Sequence, residues 1–295
     1  MLYVEPEAGI KPIVDFIRSS KNTLDINCYL IDDTVIIEEI KNAVKRKVKV
    51  RIMVDGRPYG GSGSHLEISD LQKTGAQVKI APSRFEKPGV FDHAKYMVND
   101  DSVEIGTANL TEAAFIKNRE YILIERNSDL VEDLSSVFNA DWQDSEAGKN
   151  PRKGLVISPG SETDLANLIE EPGKIFIETE EMGDDKKVLE ALEKKGKKIY
   201  IIVPSTVSGE DQVNIKALTR KGVRFRFMNP DHVYMHAKLI LSKKRFFTGS
   251  ENFSTSSLNK NREVGIIMDH RHYMKILRKT FKADWKMADT KIPKS

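Results

Sequence analysis

The sequence predicts an α/β protein of two similar domains related by a pseudo-twofold axis, each a mixed, largely parallel sheet flanked by helices. Two observations carry that expectation. The first is an internal repeat. His93-Ala-Lys95, Gly106-Thr-Ala-Asn109, Asn118-Arg-Glu120 and Ala140-Asp-Trp142 return as His236-Ala-Lys238, Gly249-Ser-Glu-Asn252, Asn261-Arg-Glu263 and Ala283-Asp-Trp285, every position displaced by 143 residues. An ungapped repeat of that length sets the architecture before any other reading. The second is the alternation of helix-period and strand-period apolar patterns upstream of each copy. A chain of 295 residues also suits two units, at roughly 100–200 residues per domain. The expected division is 1–148, with the first motif, and 149–295, with the second.

The elements follow in order. Ile10 to Ile17 has the spacing of an amphipathic helix, Thr23 to Leu30 reads as a strand, Asp33 to Arg46 as a helix and Val48 to Val54 as a strand. Glu162 to Glu170, Lys174 to Glu178, Asp184 to Lys195 and Lys198 to Val203 repeat that order. The alternation implies parallel strands with helices packed on them. A short helix and a strand come next, Leu66 to Lys73 with Val78 to Ala81, matched by Val213 to Arg220 with Val223 to Met228. Two strands joined by a turn follow in each copy, His93 to Val98 with Val103 to Gly106, and His236 to Leu241 with Arg245 to Gly249. Gln143 to Ser158, punctuated by Gly148 and Asn150-Pro151, is the expected connection. The first half alone carries a glycine-rich stretch, Tyr59 to His65, which lacks the Lys-Ser/Thr ending of a P-loop and reads as a surface loop or a cover over a site.

Composition narrows the class. The single cysteine, Cys28, excludes an intramolecular disulfide and reads as a buried strand residue. No apolar run approaches the roughly 20 residues a membrane helix needs. The start lacks the basic-then-apolar pattern of a signal peptide, so no integral membrane association and a cytoplasmic location are expected. A net charge of +3 permits a polyanionic partner without requiring one. Of the basic clusters Lys45 to Arg51, Lys194 to Lys198, Arg220 to Arg226 and Lys243 to Arg245, most fall where a helix is expected to end before a strand, a position that favours cations. His232, His270 and His272 have no ligand spacing with cysteine or clustered carboxylates, so neither a metal site nor a cofactor is expected.

The repeated residues form a coherent chemical set. Residues two apart on a strand share a face, which puts His93 with Lys95 and His236 with Lys238. Asn109 and Asn252 supply neutral donors at the end of the next strand, with Thr107 and Ser250 as expected substrate-binding hydroxyls. Glu120 and Glu263 begin another strand, where a carboxylate can accept a proton from one imidazole nitrogen and free the other. Arg119 and Arg262 read as structural, and Trp142 and Trp285 as helix-to-core anchors. Each half offers one imidazole, whereas displacement at phosphorus through a covalent intermediate needs one group to attack and one to protonate the departing oxygen. Packing about a pseudo-twofold axis would bring His93 and His236 to one phosphorus, making the monomer an internal pseudo-dimer.

His93, Lys95, Asp100, Gly106 and Asn109 match the His-x-Lys-x4-Asp and Gly-Ser/Thr-x-Asn motifs of the phospholipase D superfamily, which the chain resembles over nearly its whole length. The second copy keeps His236, Lys238, Gly249, Ser250 and Asn252 but has Lys243 in place of the Asp. Because Asp100 and Lys243 fall in a turn, the change is expected to touch local packing more than chemistry. The resemblance implies a phospholipase D-like fold and a metal-independent, two-step phosphodiester reaction without cofactors. By analogy with relatives, His93 is the nucleophile that becomes a phosphohistidine and His236 the acid and base. Nucleic acid is the first expected substrate. A phospholipid hydrolase or headgroup transferase of the cardiolipin synthase kind, with Pro88 to Phe91 as an apolar lip, is the rival. A non-catalytic phosphate or nucleic-acid binding module is the third reading.

Overall fold

Strand residues of alternating parity face opposite sides of a sheet, and here the two sides belong to two different cores. The computed structural model describes residues 1–59, 64–145 and 154–291, the side chains of 64–67 excepted. Its first half contributes β1 (Leu2–Glu5), β2 (Thr23–Cys28), β3 (Lys49–Val54), β4 (Gln77–Ile80), β5 (Lys95–Asn99), β6 (Val103–Gly106) and β7 (Asn118–Glu125). The second contributes β8 (Leu155–Ser158), β9 (Ile175–Thr179), β10 (Ile199–Pro204), β11 (Arg224–Met228), β12 (Tyr234–Met235), β13 (Lys238–Leu241), β14 (Phe246–Gly249) and β15 (Glu263–Met268). The sheet orders are β1-β7-β6-β5-β2-β3-β4 and β11-β10-β9-β13-β14-β15-β8, with β12 added beside β7.

Tyr96 and Val98 of β5, with Leu239 and Leu241 of β13, enter a central core shared by both sheets, while Met97 and Ile240 turn outward to a separate core on each side. The outer cores are closed by helices such as Thr34–Lys45 and Lys186–Lys195, whose starts are capped by Asp33 and Asp185 accepting from backbone N–H groups. Helices Ser128–Trp142 and Arg271–Met287 seal the central core, and Trp142 and Trp285 pack against it as anchors.

Both sheets are mixed, and the expected parallel units β2-β3-β4 and β9-β10-β11 are present. The parallel share is smaller than "largely parallel" implied. The hairpin strands join antiparallel, and each sheet gains an antiparallel edge strand, β1 or β8, that periodicity missed because four residues give too short a pattern. For the same reason Leu155–Ser158, expected as part of the connection, is a strand. The rest of that connection, including the expected boundary at 148/149, lies outside the described residues, as do Gly60 to Gly63 and the side chain of His65. No helix among the described residues is long and apolar enough to cross a membrane.

The halves are laced together by a reciprocal exchange. Arg119 makes a two-pronged ion pair with Asp284 at 2.7 and 3.0 Å, and Arg262 makes the same pair with Asp141 at 2.8 and 2.9 Å. All four side chains are buried, and planar guanidinium–carboxylate pairing fixes orientation as well as distance. The Asn-Arg-Glu and Ala-Asp-Trp motifs thus serve each other across the pseudo-twofold axis.

Candidate active site

Neither His93 nor His236 lies within a regular strand, contrary to expectation, because the residues before β5 and β13 cross to the other half. Asp92 forms a bridge with Arg262, and β12 pairs with Asn118 and Arg119. This crossing sets the partners. Glu120 follows Arg119 and so arrives at His236, with its Oε1 2.7 Å from Nδ1. Glu263 follows Arg262 and arrives at His93, with Oε2 2.9 Å from Nδ1. Each imidazole is therefore served by the carboxylate of the opposite half, not of its own copy. The His93 contact is a good hydrogen bond, whereas the His236 contact, though as close, lacks hydrogen-bond geometry.

Both rings line one cleft of about 360 Å³, together with Asn109, Asn252, Glu263, Tyr29, Tyr59 and Phe91. Among the described residues, the side-chain oxygens of Asn109 and Asn252 are buried there without a hydrogen-bond partner. A buried acceptor left unpaired is costly, and the amide NH2 of the same side chain is the group that can donate to an anionic oxygen. Lys95 and Lys238 are buried behind the wall, each donating to the carbonyl of its own histidine at 2.8 Å. Thr107 and Ser250, expected to bind substrate, are not among the residues that line the cleft. Both are fully buried. Thr107 donates to Glu120 at 2.5 Å and accepts from the Tyr121 N–H, while Ser250 accepts from the Val264 N–H at 3.0 Å. Through these bonds they brace the strands that carry Glu120 and Glu263.

Burial, reinforced by Lys95 and Lys238, holds the His93 imidazole below its ordinary range against the pull of Glu263. Burial would raise the Glu263 carboxyl, but His93 and Lys95 outweigh it and hold it low. Lys95 is pushed down to about 8, first by burial and then by Lys238 against the opposing Glu263. The site favours a neutral His93 whose Nδ1–H points to Glu263, which leaves Nε2 free with its lone pair.

Residues 13–142 and 174–285 match the family described as cardiolipin synthase, PLD-like domain. The chain belongs to this family. Among its relatives, mitochondrial cardiolipin hydrolase of Mus musculus is 28% identical over 35% of this chain and 47% of that one. Cardiolipin synthase A of Pseudomonas syringae is 30% identical over 39% and 23%, and the virion nicking-joining enzyme of vaccinia virus 27% identical over 43% and 32%. The chain thus spans less than half the length of these relatives. Phosphatidylserine synthase of Haemophilus influenzae shares the fold at a TM-score of 0.74, 13% identity and coverage of 98% of this chain and 87% of that one. Polyphosphate kinase of Porphyromonas gingivalis does so at 0.73 and 15%, over 100% and 52%.

The departure of this PLD-like chain at Lys243 has a structural counterpart. Asp100 accepts from the backbone N–H groups of Lys21, Asn22 and Thr23. In the second half the polarity is reversed, since Glu171 sits on the facing loop and accepts from Ser242 and Arg245 of the hairpin. The join survives without the motif Asp.

Several lining residues were not anticipated, among them Tyr29 just past β2 and the two acids Glu180 and Glu181 just past β9. Glu180 places Oε2 2.7 Å from Lys238 Nζ and 3.3 Å from His236 Nε2, and its Oε1 accepts from the Tyr234 hydroxyl at 3.1 Å. Burial would raise its carboxyl, but His236 and Lys238 outweigh it and hold Glu180 far below the usual range. Burial and then Glu180 push Glu181 up to about 7. The available signal was position, because ligands of α/β sheets gather beyond the carboxyl ends of parallel strands.

Proposed function

We propose that this chain is a phosphodiesterase that works through a phosphohistidine, acting as a single-chain pseudo-dimer in the cytoplasm with nucleic acid as its substrate. The observation that carries the reading is that both imidazoles line one cleft, each backed by a carboxylate from the opposite half. His93 Nε2 attacks phosphorus while Glu263 stabilises the charge that develops on the ring. His236 donates a proton to the departing oxygen, then accepts one from the water that attacks the phosphohistidine and restores His93. Lys95, Lys238, Asn109 and Asn252 stabilise the non-bridging oxygens, and no metal or cofactor takes part.

The choice of nucleic acid rests on a second surface. Lys243, Lys244, Arg271, Lys275, Lys279 and Lys282 line a hollow of about 710 Å³. It lies at the far end of β13 from His236, roughly 20 Å along the chain at about 3.3 Å per strand residue. A bilayer held at that hollow would meet the end of the sheet opposite the cleft, whereas a polyanionic strand can reach both. The exposed Tyr59 at the cleft rim offers a stacking surface. A phospholipid substrate is the second reading, supported by Phe91 at the same rim.

The test is incubation with chelator against labelled single-stranded and duplex nucleic acid and, in parallel, phosphatidylglycerol–cardiolipin vesicles. Nucleic-acid cleavage that weakens steeply with salt and is lost in His93→Ala and His236→Ala supports the proposal. Lipid turnover alone would transfer the mechanism to the second reading, and binding without cleavage of either would leave a binding module.

A further inference from the structure

The two halves of the cleft differ at one equivalent position. Register sets Cys28 opposite Lys95 and Thr179 opposite Lys238, so Tyr29 and Glu180 are each the next residue beyond matching strand ends. The Tyr29 ring stands over Lys95 Nζ at 5.1 Å and edge-on to His93 at 4.7 Å. Glu180 stands over Lys238 and His236 instead, at 2.7 and 3.3 Å. Both line the cleft, and neither lysine does. A neutral ring therefore covers one buried cation and a full carboxylate covers the other.

The Glu180 oxygen occupies the pair of donors that a non-bridging phosphate oxygen would take in the second half. We propose that Glu180 is a specificity-determining residue, a carboxylate that holds part of the phosphate site and so admits a singly charged phosphodiester while rejecting a doubly charged phosphomonoester or inorganic phosphate. The inference rests on the phosphodiesterase reading above. A diester must draw Lys238 and His236 Nε2 away from Glu180, which its single charge allows once the carboxylate turns aside within the cleft. A dianion brings one further negative charge beside Glu180, and beside Glu181, which also lines this wall. At about 4–5 Å in a partly screened site, that charge weakens binding roughly 10- to 100-fold. The same repulsion expels the product, because hydrolysis of a diester leaves a monoester whose second proton is lost with a pKa near 6.

The test is calorimetric titration with inorganic phosphate at pH 8 of the wild-type protein, Glu180→Gln and Glu180→Tyr, the last installing the residue of the first half. Thermal melting identifies which variants are folded, so a cost of uncovering Lys238 in one leaves the other to be read. Phosphate should bind folded variants at least 10-fold more tightly than wild type, while KM for a diester falls by less. The converse change, Tyr29→Glu, should weaken phosphate binding. Equal or weaker phosphate affinity in the folded Glu180 variants, or no binding in any of them, overturns the proposal. Titration needs no turnover, so the two readings fail separately. Tighter phosphate binding in a protein that cleaves no diester removes the phosphodiesterase and keeps Glu180's control of the site. Diester cleavage with unchanged phosphate affinity removes Glu180 alone.

Discussion

Replacing Glu263 with Gln tests the exchange of carboxylates between halves, because it alters the second half and should disable the histidine of the first. The mutated group lies 2.9 Å from His93 Nδ1, and Glu263 is fully buried. On the proposed mechanism the His93 ring becomes positive as it attacks phosphorus, and a carboxylate centred about 4 Å away stabilises that charge by about 4 kcal/mol at an effective dielectric near 20. Removing it should slow phosphohistidine formation about 10³-fold, with a further loss if the amide selects the other tautomer. The matching change, Glu120→Gln, should act on His236 and spare the first step when the leaving group needs no proton. The assay is stopped-flow hydrolysis of an aryl phosphodiester, with alkaline quenching and mass measurement of the phosphoprotein. Glu263→Gln should show no burst and no phosphoprotein. Glu120→Gln should release a burst of phenolate and accumulate it. The reverse pattern, or slowing of the same step by both, would refute the crossed assignment.

Three further outcomes are expected. Arg119→Ala leaves Asp284 buried without its partner and should cost about 3–5 kcal/mol. Arg119→Ala/Asp284→Ala should cost less than the sum of the single changes in urea unfolding, and simple additivity would count against the pair. Burial pushes Glu104 up to about 8 from an ordinary 4.5. The folded state therefore retains a proton that the unfolded chain releases, and stability present below pH 4.5 should be lost as pH rises through about 8. For Glu104 the loss is on the order of 4 kcal/mol, so melting temperatures should fall over that window and Glu104→Gln should flatten the slope; an unchanged slope would sink the assignment. Lys243→Asp should alter turnover less than twofold, because Glu171 already joins the hairpin to its facing loop, whereas Asp100→Ala should lower the melting temperature by removing several backbone partners.

Much of the fold was legible because the constant offset of 143 residues aligned the motif strands, while apolar period located the helix and strand units upstream. Arg119 and Arg262 read as structural, though their partners Asp284 and Asp141 did not, since a pairing between halves has no local signature. The same gap hid the crossing of Glu120 and Glu263. Thr107 and Ser250 each follow the last residue of a strand, where spacing along the sequence leaves the direction of the side chain open. Glu180 escaped for a different reason. Its equivalence to Tyr29 rests on strand register, and Cys28 and Thr179 lie 151 residues apart instead of 143, so the repeat does not align them.

The crossed carboxylates make competence a joint property. A fragment containing His93 lacks Glu263, and one containing His236 lacks Glu120, so neither piece holds an imidazole ready for chemistry. Expressed as two polypeptides, the halves would form a molecular AND gate, silent apart and active only on reassembly, with the Arg119–Asp284 and Arg262–Asp141 clasps selecting the productive pairing.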